Sequence, residues 1–296
     1  MIVWAKQNGN WTSASIWAFW NENTQQIEDY GQMPQIDDVV YCNGHTITFS
    51  DTVLTVKELH NDLNPYTQNE GGSINRTATN ATISFNCDFF GDGQTNILNG
   101  AGNGIPYIIN GNVNDAVIVT GTYQQSTTIN GNCKNTCSSG LGGGVYKNLI
   151  INGNVLIEEG RRFFLSTASA GTQETRMTIN GILSQFGDIA ISIGVYPTTI
   201  YGKYIVGNGV SFNSNMTLYG EVDLTRNNNK VPMTGNYGLN LQTDSIVFEN
   251  VDYPNEADVK KDVTYAFGTK TGTLESVTVT NTNTINVYPY KRRNNF

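Results

Sequence analysis

The residues of this chain best able to do chemistry are acidic. Glu158, Glu159, Glu174 and Asp188 fall within one stretch, with Arg161 and Arg162 between them. Two facing carboxylates about 5–10 Å apart, one protonated and one ionised, would suffice to hydrolyse a glycosidic bond. No spacing here singles out a pair. Glu158-Glu159-Gly160-Arg161-Arg162 reads more naturally as a charged corner than as a catalytic dyad. Asp88 and Asp92-Gly93 hint at a calcium loop but lack its full oxygen-rich spacing. The chain contains no Gly-x-Ser-x-Gly, no phosphate-binding Walker loop and no His-Glu-x-x-His, the motifs of three other chemistries. Its only histidines, His45 and His60, leave little room for a triad. Four cysteines, Cys42, Cys87, Cys133 and Cys137, include one Cys-x3-Cys with no histidine near it, a weak zinc signal. Free thiols are expected, with no metal and no cofactor.

The elements that must carry these residues announce themselves by repetition. Ile-Asn-Gly recurs at Ile109-Asn110-Gly111, Ile129-Asn130-Gly131, Ile151-Asn152-Gly153 and Ile179-Asn180-Gly181. Three of the four continue with Asn and a small apolar residue, at Asn112-Val113, Asn132-Cys133 and Asn154-Val155. The steps between the first asparagines are 20 (110 to 130), 22 (130 to 152) and 28 (152 to 180) residues. A turn signature at that interval indicates stacked units, each burying its apolar face on the next. Such a unit holds about three short strands. Helical solenoids are excluded by the absence of a 3.6-residue period, and leucine-rich repeats by the absence of their Leu-x-x-Leu-x-Leu frame.

The reading is therefore all-β: a parallel β-helix (β-solenoid) rod with an N-terminal cap and a small C-terminal module. Ile, Val and Leu would point inward, and Asn and Gly would turn the corners, where both tolerate left-handed backbone. A β-sandwich is the alternative; it suits many short strands but gives no reason for the recurrent phrase.

Composition agrees. Charged residues are 14% of the chain, against about 25% in ordinary domains, and Gly, Asn and Thr are abundant, which disfavours helix. The net charge of −8 and a pI of about 4.7, with no basic stripe, argue against binding nucleic acid or an anionic membrane. The one basic cluster, Lys291-Arg292-Arg293, is terminal. No apolar run approaches the roughly 18 residues of a membrane span. The start, Met1-Ile-Val-Trp-Ala-Lys6, has neither the basic nor the long apolar region of a secretion signal, so synthesis in a cytoplasm is expected.

Three segments are expected. Residues 1–35 hold all four tryptophans, Trp4, Trp11, Trp17 and Trp20, and read as a cap sealing an open stack end or as a docking segment. Residues 36–250 are the solenoid. Residues 251–296 change character and read as a terminal module or tail. Trp4, Trp11, Trp17, Trp20, Tyr265 and Phe267 are the candidate docking residues.

Two segments resemble known proteins. Trp11, Trp17, Pro34, Asp37-Asp38-Val39-Val40, Asn43-Gly44-His45 and Thr46-Ile47-Thr48 are similar to the start of β-helical surface and virion proteins. Pro254, Asp258-Val259-Lys260, Val263, Tyr265, Gly268 and Thr271-Gly272-Thr273-Leu274 resemble a C-terminal motif of tailed-bacteriophage structural proteins, P-x-x-x-D-V-R-x-G-x-x-Y-G leading to G-T-L. The chain departs from it at Lys260, Asp262 and Ala266, in place of Arg, Gly and Gly. Together the quoted residues span about a fifth of the chain. The resemblance implies a virion structural component of fibre or decoration type, and crAss-like gut phages are one source it suggests. It implies no enzymatic activity, assembly with itself (a homotrimer by analogy), contact with other virion proteins, and host attachment through a surface glycan. A polysaccharide-cleaving tailspike is the alternative.

Overall fold

The structure is a computed structural model. It describes residues 1–77, 81–100, 107–118, 126–135, 148–166, 176–192, 198–210, 215–227, 239–243, 246–247, 264–265 and 270–271. Among these there is no α-helix; two 3-10 turns, Ala14–Ile16 and Thr225–Asn227, interrupt a run of short strands. The chain divides into two compact units, Met1–Glu249 and Asn250–Phe296.

The first unit is a parallel β-solenoid, and its register is continuous from end to end. One column of inward residues runs Val3, Val40, Leu59, Phe89, Val113, Cys133, Val155, Leu183, Tyr204, Val222 and Ile246. Successive members belong to successive rungs, spaced by the ~4.8 Å of neighbouring strands. A second column runs Leu54, Phe85, Ile109, Ile129, Ile151, Ile179, Ile200, Leu218 and Leu241. The isoleucines of the four repeats are consecutive in it, all buried. Each fully buried aliphatic side chain contributes about 1.5–3 kcal/mol, so the repeat supplies its own core. These in-register parallel pairings rule out the sandwich.

The corner has a visible origin. Ile83–Phe90 is a single eight-residue strand. The next rung splits the same path into Tyr107–Ile109 and Val113–Asn114, with Gly111 between. A second parallel sheet stacks Gly9, Ile47, Ile74, Leu98 and Ile118 along another wall. Arg162–Ser166 and Asp188–Ser192 form a parallel pair on a further side.

At the N-terminal end the stack begins inside the tryptophan-rich segment. Ile2–Ala5 pairs parallel with Val39–Tyr41 on one side and antiparallel with Trp17–Asn21 on the other. Gln26–Asp29 adds antiparallel to the latter and leaves the sheet edge. That edge strand is short and carries Glu28 and Asp29, features that oppose edge-to-edge aggregation. Trp11 and Trp17 lie in the main core, with Trp17 Nε1 donating to the Trp11 carbonyl at 3.0 Å. Trp4 lies in a smaller cluster with Ala18 and Tyr41, against which Ile2, Trp20 and Val39 pack. In the second unit the described residues form one antiparallel pair, Thr264–Tyr265 with Lys270–Thr271.

Candidate functional site

The corner asparagines form a ladder. Asn110 Nδ2 donates to Asn86 Oδ1 at 2.8 Å, Asn130 to Asn110 at 2.6 Å, Asn152 to Asn130 at 2.7 Å and Asn180 to Asn152 at 2.6 Å. Asn86 closes the row by donating to Thr55 Oγ1 at 3.0 Å. Every donor points back one rung, so the amide dipoles align. The asparagine after each glycine does a different job. Its Oδ1 accepts the backbone N–H one rung ahead: Asn112 from Asn132 at 2.9 Å, Asn132 from Asn154 at 2.8 Å, and Asn154 from Ile182 at 2.8 Å. Each such bond adds on the order of 0.5–1.5 kcal/mol net. Asn-Gly-Asn is thus two ladders flanking one glycine.

That glycine is not there for left-handed backbone, as the sequence led us to expect. None of the four glycines has a positive φ; the nearest left-handed positions, Asp115 and Asn135 with φ of 49° and 50°, lie at the next bend, past Val113–Asn114 and Cys133–Lys134. The glycines of the repeat are needed because the rungs touch. A Cβ on Gly153 would sit 2.3 Å from the Gly131 carbonyl oxygen, and one on Gly181 would sit 2.4 Å from that of Gly153.

Glu158 is tied into the same stacking. Asn135 Nδ2 lies 3.1 Å from Asp115 Oδ1 and 3.0 Å from Glu158 Oε2, while the Glu158 N–H donates to Asn135 Oδ1 at 2.8 Å. Lys134 Nζ pairs with Glu158 Oε1 at 2.9 Å. Hydrogen bonds from Lys134 and then Asn135 hold the Glu158 carboxyl below its ordinary pKa. A general acid requires the opposite shift.

Beside Glu158 the surface opens into two adjoining grooves. One, of about 470 Å³, is lined by Leu156, Glu158, Glu159, Phe186, Asn208 and Arg226. The other, of about 370 Å³, adds Arg161 and Asp188 and shares Glu159, Phe186 and Asn208. Both fall in the size range of small-molecule sites. Glycines shape the floor: a Cβ on Gly187 would lie 2.2 Å from the Arg161 carbonyl oxygen. The Arg226 guanidinium stands 5.3 Å from the Phe186 ring centre, within cation–π range. The grooves therefore offer carboxylate acceptors, guanidinium and amide donors, and one aromatic face. Of the carboxylates singled out from sequence, Glu158, Glu159 and Asp188 converge here. Arg162 starts a strand in register with Asp188, and Glu174 lies outside the described residues.

The docking candidates are distributed differently. Trp4, Trp11 and Trp17 are buried. Trp20 is half-buried and lines a groove of about 400 Å³ with Met1, Ile2, Phe19, Asn21, Glu22, Asn23 and Tyr66. Tyr66 stacks on both Trp4 and Trp20, with ring centres 5.7 and 5.8 Å away. Tyr265 lies in the terminal strand pair, its side chain outside the described set, as is Phe267.

Sequence reasoning passed over His60. Its ring lies between Tyr41 and Phe90, at 4.4 and 4.6 Å, on consecutive rungs. Its Nδ1 is 2.9 Å from Asp62 and its Nε2 is 3.1 Å from Glu58. The alternation Glu58-x-His60-x-Asp62 was the available signal: it puts Glu58 and His60 on one face of Val53–His60, with Asp62 just past the strand end. Glu58 sits below its ordinary pKa: burial pushes it up, but hydrogen bonds from His60 and Lys57 outweigh that. The calcium-like acids serve turns. Asp88 accepts from Asn112, and Asp92 caps the N–H groups of Gln94 and Thr95. Cys42, Cys87 and Cys133 are buried thiols; burial alone pushes the Cys42 thiol up to about 12. Among the described residues no three of His, Cys, Asp and Glu are grouped so as to hold a metal ion. No protein-family model, curated protein or solved structure matches the chain.

Proposed function

We propose that the chain is a non-enzymatic structural component of a virion, a head or tail fibre or decoration protein that assembles with itself and presents its solenoid outward. The observation that carries this reading is the use of the repeat. Its isoleucines build the core, its glycines let rungs touch and its asparagines bond rung to rung, so the repeated phrase of the chain serves stiffness. Glu158, the first carboxylate in the groove, is engaged by Lys134 and Asn135, which suits a structural bracket better than a proton donor. The likeness of the two end segments to phage structural proteins supports the setting. The test is to raise antibodies to the purified chain, label particles from lysates of its natural host, and weigh the chain in solution by sedimentation. Labelled particles and a discrete oligomer are expected; a monomer that labels no particle would reject the reading.

A second reading, glycan binding or cleavage at the Phe186 grooves, rests on the convergence of Glu159, Asp188, Asn208 and Arg226 around one aromatic ring. It predicts retention on immobilised host capsule, lost in Phe186→Ala. Cleavage further predicts release of reducing ends, lost in Glu159→Gln or Asp188→Asn.

A further inference from the structure

The four Ile-Asn-Gly corners form an experiment already built into the chain. Each asparagine has the same two neighbours, and all four are exposed. They differ in the ladder. Asn110, Asn130 and Asn152 are held at both ends of the amide, donating through Nδ2 and accepting at Oδ1. Asn180 is held at one end. Its Nδ2 donates to Asn152, but the corner position on the next rung is Tyr201, as the pairing of Ile179 with Ile200 dictates. Tyr201 brings no amide to Asn180; its ring stacks instead on Tyr219, 4.8 Å further on.

Asn-Gly is a reactive dipeptide because glycine leaves the backbone nitrogen unshielded. That nitrogen attacks the asparagine Cγ and gives up its proton, the side-chain amide departs as ammonia, and a succinimide ring closes. Water then opens the ring to aspartate or isoaspartate. The rate depends on how often Cγ reaches an attack geometry, and an amide pinned at both ends turns toward its own backbone less often than one pinned at a single end.

We propose that, of the four Ile-Asn-Gly corners, Asn180 is the one that deamidates spontaneously in the folded protein and that the ladder protects Asn110, Asn130 and Asn152. The product matters to the stack. An aspartate at 180 has no proton to offer Asn152 Oδ1. An isoaspartate adds a backbone methylene beside Gly181, where a Cβ already has no room, and so loosens the contact between that rung and its neighbours.

The purified full-length chain is held folded in mildly alkaline buffer at physiological temperature, sampled over time, digested and read by mass spectrometry for the one-mass-unit gain of amide to acid. The peptide containing Asn180 should convert several-fold faster than those containing the other three, and the four rates should converge in denaturant. Equal rates in the folded chain, or a slow Asn180, would overturn the proposal. The Tyr201→Asn variant lengthens the ladder by one rung and is itself followed by Gly202. It should protect Asn180 and move the fast site to 201; an unchanged Asn180 rate in the folded variant would also overturn the proposal. If that variant does not fold, the wild-type comparison decides alone.

Discussion

A Cβ added to Gly131 would lie 2.1 Å from the carbonyl oxygen of Gly111 on the preceding rung. The two glycines belong to a column that continues through Gly153, Gly181, Gly202 and Gly220, each in the same relation to the one before. No side chain gives way in such a contact, because both partners are backbone and both are held by the strand pairing on either side. Gly131→Ala should therefore cost at least the 1–3 kcal/mol of an overpacked core. Gly160, with φ of 72° and nothing within reach of a Cβ, should lose only about 1–2 kcal/mol as alanine, from its left-handed backbone. Denaturant unfolding of both variants checks the order.

The middle of the amide ladder should be worth more than its end. Asn130 donates to Asn110 and accepts from Asn152, so Asn130→Ala breaks two bonds and Asn180→Ala breaks one. The expected losses are about 1–3 and about 0.5–1.5 kcal/mol respectively. Urea midpoints at matched slope measure the difference. Equal losses would mean that these exposed amides are as well bonded to water as to each other.

Glu158 gives an acid limit whose direction follows from its pKa. Its carboxyl is held below the ordinary 4.5 in the fold by Lys134 and Asn135. A depressed folded pKa contributes stability that is present above the unfolded value and lost as pH falls through the folded value. Glu58, held down by His60 and Lys57 against the opposing effect of burial, acts in the same direction. Glu158→Gln should thus destabilise the protein at neutral pH and cost progressively less as pH falls below the carboxylate range. Thermal melts of both proteins across an acidic series test this; a difference that grows on acidification would contradict the assignment.

Tyr66 should report on the N-terminal aromatic cluster. It stacks on Trp4 and Trp20 together, and it is partly exposed. Tyr66→Ala should bare the indole of Trp20 and shift the tryptophan emission to the red, while Trp11 and Trp17, in the main core, stay in an apolar setting. The emission maximum and iodide quenching read this directly. A cooperative unfolding transition near that of the parent should accompany it, because the cluster lies outside the main core.

Much of the solenoid was legible from the repeat because each rung pairs with its neighbours in register. Four identical phrases are four superposed corners, so spacing alone placed Ile109, Ile129, Ile151 and Ile179 in one column. The looser rungs were harder. Gly202 and Gly220 follow tyrosines rather than asparagines, and only the pairing of Ile200 with Leu218 reveals them as the same corner. The groove was half legible: Glu158, Glu159 and Asp188 stand out as charged residues of one stretch, but Phe186, two residues before Asp188, carries no local signal, and Asn208 and Arg226 come from the next two rungs. His60 and Tyr66 were missed for the same reason, since their partners Tyr41, Phe90, Trp4 and Trp20 are distant in sequence.

By itself, then, the sequence determined the period, the inward residues and the parallel stack, because a local phrase repeated in register has one way to bury its isoleucines. Only the tertiary structure decided why the glycines are there. Their requirement is a backbone contact with the rung below, a distance that local conformation does not set. It also decided where the ladder ends. Asn180 looks like its three predecessors in sequence, and what distinguishes it is the residue stacked above it, Tyr201, which the chain reaches only after a full turn of the solenoid.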